Sequence, residues 1–202
     1  MQWPLRVAPA DEIRCMEMNT PRLRLDALHP ADAAALFGYR ADPDVSRFQG
    51  WRPTSVAEAA GFIERQAGAT LDTPDNWFQR AIRLHEDESL IGDLGIHLPG
   101  GVGGSIEFGI SIAPAHQGNG YASEAVRAVF DLVFGRLGRH RTHASVDPRN
   151  LASMAMLRGL GMRQEAHHRE SLWLQGEWVD DVIFAMLGRE WLAQQAAERH
   201  RG

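Results

Sequence analysis

Three polar features of this chain have the spacing of working chemistry. The first is Ile106-Glu107-Phe108-Gly109-Ile110-Ser111-Ile112. It alternates, so that Ile106, Phe108, Ile110 and Ile112 share one face and Glu107, Gly109 and Ser111 the other. One carboxylate thus stands on a strand face that is otherwise small and polar, with room beside it for a reacting group. The second feature follows at once. Pro114 stops the strand, and Gln117-Gly118-Asn119-Gly120 is a turn whose backbone can present several N–H groups to one anion. Apolar residues at 122, 125, 126, 129, 132, 133 and 137 then hold a helical period. Strand, glycine turn and helix N-terminus make an anion cradle, because unpaired N–H groups and the helix dipole point at the same place. The third feature is Asn150-Leu151-Ala152-Ser153, where Asn150 is suited to cap a helix and Ser153 sits in its first turn.

The spelling of the turn separates it from other phosphate loops. A mononucleotide loop ends in Gly-Lys-Ser/Thr, whereas Gly120 is followed by Tyr121 and Ala122. A dinucleotide fingerprint needs a third glycine where Ser123 stands. The pattern Gln117-x-x-Gly120-x-Ala122 instead resembles the pyrophosphate-binding motif of the GCN5-related N-acetyltransferases. The longer string Gln-Gly-Asn-Gly-Tyr-Ala-Ser-Glu-Ala over 117–125 is similar to the RimJ/RimL branch, the N-terminal acetyltransferases of ribosomal proteins and their relatives. The resemblance covers roughly residues 20–188 and implies acetyl-CoA as cosubstrate. It places Gln117, Gly118, Asn119, Gly120, Tyr121 and Ala122 at the pyrophosphate, and Ile110, Ile112 and Asn150 along the pantetheine arm.

Acetyl transfer from a thioester to an amine needs a deprotonated amine, a stabilised oxyanion and support for the leaving thiolate. An alkyl ammonium has a pKa of about 10 and an α-ammonium about 8, so a base is needed at neutral pH. Glu107 is the candidate base. In relatives of the RimL type a glutamate in this strand is the proposed base, usually through water; a carboxylate on a solvated strand face is the plain alternative. The same resemblance makes Ser153 a proposed partner for the sulfur. Many relatives instead carry a tyrosine four residues before the glycine that ends this helix. Here that position is Leu157, and Phe184 stands where relatives often carry a tyrosine in the last strand. Neither can donate a proton.

These residues need a scaffold, and the chain reads as strand, two helices, three strands, helix, strand, helix, two strands. Thr20 to Leu25 opens the first strand, in wording similar to the start of RimL-like chains; helices follow over about 30–41 and 56–69, the second with Ser55 and Glu58 as a capping box. Trp77–Leu84 and Leu90–Leu98 form a hairpin, with Gly92 and Gly95 marking a bulge or close backbone approach. Residues 141–146, a helix from Asn150 stopped by Gly161, and strands at 162–172 and 178–187 complete the domain. The expected class is α/β (α+β): a mixed, mostly antiparallel sheet of about seven strands with helices on both faces. The family resemblance adds a splay beside the central strand for CoA. Residues 1–19 read as an extension, able to pack on the domain or on a second subunit in a homodimer, and 189–202 as a polar tail, partly helical and frayed.

The loop Phe48-Gln49-Gly50-Trp51-Arg52-Pro53 lines the acceptor site in enzymes of this resemblance, which makes Trp51 and Arg52 candidates for substrate contact; a surface loop pinned by one tryptophan is the other reading. Trp173, with Trp178 across a turn, is a candidate pocket wall or a cross-strand aromatic pair. Arg127, Arg136 and Arg139 either reach the 3′-phosphate or form a solvated helix face. His140, His143, His167 and His168 match no tight metal spacing, so no metal is expected.

With 202 residues, 44% hydrophobic and 23% charged, the chain suits one globular domain. A net charge of −5 argues against general binding to nucleic acid or acidic membranes and weakly favours a cationic acceptor. Cys15 is the single cysteine, which fits a reducing compartment and excludes an internal disulfide. No apolar run reaches membrane length and residues 1–19 lack a signal-peptide pattern, so the expectation is cytoplasmic. The reading is an acetyl-CoA-dependent N-acetyltransferase acting on a primary amine, either a peptide N-terminus or a small amine, by direct attack in a ternary complex. A non-catalytic acyl-CoA-binding or sensing module is the alternative.

Overall fold

The computed structural model describes residues 17–71, 76–97 and 105–200. Cys15, most of the N-terminal extension and the glycine-rich loop at 99–104 lie outside them. The described residues build one eight-stranded sheet: β1 (Met18–Asn19), β2 (Leu23–Asp26), β3 (Trp77–Leu84), β4 (Leu90–His97), β5 (Ile106–Ile112), β6 (Arg141–Val146), β7 (Arg163–Leu174) and β8 (Glu177–Leu187). The spatial order is β1-β2-β3-β4-β5-β6-β8-β7, antiparallel throughout except between β5 and β6. Seven strands coincide with the expected ones. The eighth, β1, is a two-residue edge strand pairing Met18 with Leu25 and Asn19 with Arg24, too short for alternation to reveal it.

Among the described residues the α-helices are α1 (Ala33–Arg40), α2 (Pro43–Ser46), α3 (Val56–Gln66), α4 (Tyr121–Phe130), α5 (Leu151–Gly159) and α6 (Gly188–Arg199). One sheet face packs on α4 and its continuation through Phe108, Val126, Val129, Phe130 and Phe134, all buried. The other face is covered over β2, β3 and β4 by α1 and α3, whose Leu36, Tyr39, Ala59 and Ile63 pack around Ala81. That cover stops short of β5 and β6, which leaves the polar face of β5 open at Gly109. This gap in the helical layer is where a substrate can reach the strand.

Several elements differ from expectation for local reasons. Helix α4 passes at Asp131–Arg136 into a π-helical segment, where Leu137 N–H donates to Leu132 O at 2.9 Å, so the apolar stripe continues but the regular period does not. Glu58 does not close a capping box on Ser55. Ser55 Oγ does accept from Glu58 N–H at 3.1 Å, but the Glu58 carboxylate accepts from Thr54 N–H (2.8 Å), Thr54 Oγ1 (2.7 Å) and Trp51 Nε1 (3.1 Å). Helix α2 was not anticipated; Asp42 caps it by accepting from Asp44 N–H at 2.8 Å. The polar C-terminal stretch, expected to be partly helical, is a helix over Gly188–Arg199. Its Trp191 is buried between Phe130 and the α4 continuation and donates to Asp131 Oδ1 at 2.9 Å. A single anchoring tryptophan in a polar segment leaves too weak a period to read.

Candidate active site

The central opening follows from the β5–β6 pairing. The two strands are in register only at Ile106↔Thr142 and Glu107↔His143, and beyond Glu107 they separate. Ala113 N–H donates to Ile91 O, so the odd-numbered residues of β5 point their main-chain groups at β4. The even-numbered ones point into the gap. Ile106 O accepts from Thr142 Oγ1 at 3.0 Å and Ile112 O from Gln117 Nε2 at 2.9 Å, while Ile110, between them, faces no strand. An extended ligand arm laid in the gap can therefore pair with Ile110 as an added strand would. Gln117 acts here by tying the glycine turn to the end of β5.

Gly118 and Gly120 have φ of +77° and +79°, a region that costs other residues strain, and Gly120 is the N-cap of α4. The first intrahelical bond is Glu124 N–H to Gly120 O at 3.1 Å. Helix geometry leaves the N–H groups of Tyr121, Ala122 and Ser123 without an acceptor on the helix, aimed at the turn. The turn is braced from β2. Arg22 Nη1 donates to Asn119 O at 3.0 Å, Arg22 Nε and Nη2 both lie 2.7 Å from Glu124 Oε2, and Thr20 Oγ1 donates to Glu124 Oε1 at 2.6 Å. The Arg22 guanidinium also lies 4.5 Å over the Tyr121 ring. Burial alone would raise the Glu124 carboxyl, but the Thr20 and Arg22 bonds hold it below the usual carboxylate range. Asn119 Nδ2 turns inward to Gln117 O at 3.1 Å.

Two cavities meet across the splay. One of about 490 Å³ lies against the turn, with Gln117, Gly118, Gly120, Tyr121 and Ala122 in its wall. The other, about 290 Å³, contains Glu107, Gly109 and Trp173. Phe48, Gln49, Ile110, Asn150, Ser153 and Met156 line both, which makes Asn150 and Ser153 the junction. Asn150 Oδ1 caps α5 by accepting from Ser153 N–H at 3.1 Å, leaving the amide nitrogen of its side chain for another acceptor. Leu157, at the expected tyrosine position, lines the Glu107 cavity, and Phe184 is buried in the core.

Glu107 is flanked on both neighbouring strands by histidine. Its Oε2 is 3.8 Å from His97 Nδ1 and 4.0 Å from His143 Nε2, with His97 and His143 directly across in register. His143 Nδ1 bonds Ser105 Oγ at 2.9 Å and His97 stacks on Trp77 at 5.3 Å. These spacings exceed a hydrogen bond, so Glu107 is flanked without being tied. Neither histidine was singled out beside Glu107 from the sequence, because the contact depends on strand register. Among the described residues no group of three His, Cys, Asp or Glu side chains is arranged to hold a metal ion.

The acceptor-side residues separate. Trp173 lines the Glu107 cavity and also packs edge-on to Trp178 at 5.3 Å. Trp51 stacks on Phe62 at 4.5 Å, and Arg52 Nε donates to Ala41 O at 3.1 Å. Neither lines the two cavities; the loop reaches them through Phe48 and Gln49. Gln49 is held from beneath. Arg40 Nη1 donates to Gln49 Oε1 at 3.2 Å, and Arg40 Nε and Tyr39 Oη donate to the fully buried Asp93 at 2.9 and 2.7 Å. Burial, reinforced by the Asp93 charge, pushes the Tyr39 hydroxyl well up. A lone aspartate inside the apolar run of β4 was the sequence signal for this network. The arginines resolve in part: Arg127 and Arg136 line an outer hollow on α4, with Arg127 3.4 Å from Glu198.

Comparison with known proteins agrees with this geometry. The Acetyltransferase (GNAT) domain family matches residues 22–163. An N-acetyltransferase of Bacillus licheniformis, p20, is 31% identical over 86% of this chain and 97% of its own. A GNAT-family acetyltransferase structure from Bacillus anthracis superposes with a TM-score of 0.78 at 25% identity, covering 86% of this chain and 99% of that one. Spermidine N-acetyltransferase from Vibrio cholerae, solved with CoA and spermine, shares the fold at TM-score 0.73 and 21% identity, covering 86% and 99%. Among the described residues no helix is long and apolar enough to cross a membrane. The splayed sheet, the glycine turn and the family match converge: this chain belongs to the GNAT family of N-acetyltransferases.

Proposed function

We propose that this enzyme transfers the acetyl group of acetyl-CoA to a primary amine by direct attack within a ternary complex, with Glu107 as the base. The observation that carries the reading is the single channel joining two ends of different chemistry. At one end are the unpaired N–H groups of the α4 N-terminus, suited to a pyrophosphate; at the other is a carboxylate with no arginine partner among the described residues. The thioester of the bound donor supplies the acetyl group. The chain's own part is to orient and to move one proton. The glycine turn and the main chain of Ile110 and Ile112 hold the donor, Asn150 and Ser153 lie at the junction suited to its sulfur, and Glu107 receives the proton that the ammonium must lose. Among the described lining residues no cysteine offers a covalent acetyl relay, which favours direct transfer.

The wording of the turn supports the RimJ/RimL branch, and the low cysteine content and absence of a membrane-length apolar run support a cytoplasmic setting. The test is CoA thiol release in the presence of amines, for wild type and Glu107→Gln. Retained donor binding with at least a tenfold loss of turnover supports the assignment. Donor binding without amine-dependent release by the wild type would favour the non-catalytic module.

A further inference from the structure

Within the proposed transferase reading, Gln49 is a polar side chain of the channel wall whose orientation is decided by its partner. Its Oε1 accepts from Arg40 Nη1 at 3.2 Å. Arg40 is buried, and a guanidinium only donates, so the oxygen of the amide and not its nitrogen must face it. Arg40 is itself held: its Nε donates to Asp93 Oδ1 at 2.9 Å, and Asp93 also accepts from Tyr39 and Gln79. The main chain of Gln49 is fixed as well. Its N–H donates to Ser46 O at 2.8 Å, and Gln175, at the tip of the β7–β8 hairpin, donates from Nε2 to Ser46 O at 2.6 Å and to Gln49 O at 3.4 Å. The loop at 46–49 is thus pinned from the core beneath it and from the hairpin whose Leu172, Trp173 and Leu174 line the Glu107 cavity.

The two ends of an amide point apart, so Gln49 Nε2 faces away from the buried network. It has no hydrogen-bond partner among the described residues, and Gln49 is half-buried in the walls of both cavities. Its N–H groups are a pre-set donor for an oxygen atom in the channel. Strand register indicates which substrate carries that oxygen. Asp93 lies opposite Ser111 and His97 opposite Glu107, so the Asp93 carboxylate that anchors Arg40 shares a sheet face with Glu107. Gln49 therefore stands over the face on which Glu107 meets the amine. The donor arm has hydrogen-bonding groups of its own, the main chain of Ile110 in the splay and the Asn150 amide. The Glu107 cavity holds about 290 Å³, so the part of an acceptor inside it is only a few bonds long and the oxygen must lie close to the amine.

We propose that Gln49 is a specificity-determining residue that donates from Nε2 to a carbonyl oxygen carried by the acceptor next to its amine. The acceptor is then an α-amino carbonyl compound, whether the N-terminus of a peptide or a free amino acid. A plain alkylamine has no oxygen in that place and forgoes the bond.

The experiment uses two pairs of amines that differ by one carboxamide: phenylalaninamide against 2-phenylethylamine, and alaninamide against ethylamine. Thiol release from acetyl-CoA gives kcat/KM for each, and calorimetry gives its binding to the CoA-saturated enzyme. Free alanine and an alanyl peptide amide separate the two sources. In the wild type each carboxamide should bind about tenfold tighter than its partner amine. Gln49→Glu keeps an oxygen for Arg40 but removes the donor, and Gln49→Met removes both. In each variant the ratio of kcat/KM within a pair should shift about tenfold toward the plain amine; comparison with the wild-type ratio cancels the unequal basicity of the amines. Where a variant fails to fold, the wild-type preference decides. No preference for the carboxamide in the wild type, or an unchanged ratio in the folded variants, overturns the inference while leaving the transferase intact. An equal loss for both members of a pair, or a fall in acetyl-CoA affinity with the ratio unchanged, would assign Gln49 to the donor and overturn it too. Failure of acetyl-CoA itself to bind the wild type removes the transferase reading, and the role of Gln49 with it.

Discussion

Gly120 permits a test in which stability and donor binding are read separately. Its φ is +79°, and a Cβ added there would meet only Arg22 Nη2, at 3.6 Å. Gly120→Ala therefore introduces no clash in the free protein; its cost is the left-handed backbone, about 1–2 kcal/mol for a residue with a side chain. For a domain of this length each kcal/mol moves Tm by about 2–4 °C, so a fall of about 2–8 °C is expected. Relief of that strain rotates the peptide at the head of α4, and a lost N–H contact to a charged group is worth about 1.5–3 kcal/mol. At about 1.4 kcal/mol per decade, CoA affinity should fall roughly tenfold to a hundredfold. Gly176, at φ +91° with open space around it in the β7–β8 turn, is the matched control. Gly176→Ala should lose similar stability and bind CoA as wild type does. Thermal unfolding and titration calorimetry with CoA measure both quantities. A Gly120→Ala protein that melts lower yet binds CoA within about twofold of wild type would refute the cradle.

Three further outcomes follow from the scaffold. Asp93→Ala leaves the Arg40 guanidinium and the Tyr39 hydroxyl buried without their acceptor, and should cost about 3–5 kcal/mol in denaturant unfolding; a loss below about 1 kcal/mol would contradict the network. Trp191→Ala should cost about 3–5 kcal/mol and expose the α4 continuation to proteolysis, whereas a purely peripheral α6 would leave the melting curve in place. Burial works to raise the Asp32 carboxyl, yet Arg83, bonded to it at 2.8 and 2.7 Å, holds it below its usual value. Its contribution to stability is thus complete above the unfolded value of about 3.9 and is lost as pH falls through the lower folded value. Stability measured against pH should be less steep on that acid limb in Asp32→Asn, and an identical slope would dismiss the pair as a source of acid sensitivity.

The sequence made the Glu107 strand and the turn visible because each is written locally. Alternation over residues 106–112 needs no partner to be read, and Gly118 and Gly120 announce a backbone that other residues resist. The Asn150 cap and the Gly161 stop were legible for the same reason. What stayed hidden depends on distant pairing. His97 and His143 flank Glu107 only through the registers of two neighbouring strands, and Arg22 reaches Glu124 across 102 positions. The loop at 48–53 was singled out, but not which of its side chains turn inward. Trp51 is drawn to Phe62 and Glu58 by packing that a sequence pattern does not specify, and Phe48 and Gln49 face the channel in its place.

The central claim is that Glu107 at the end of the splay removes a proton from an amine that then takes the acetyl group. Free thiol released from acetyl-CoA, followed for wild type and Glu107→Gln with saturating amine, tests it most directly. The account predicts amine-dependent release by the wild type, at least tenfold slower in the variant, with CoA affinity unchanged. Equal rates in the two proteins would contradict it.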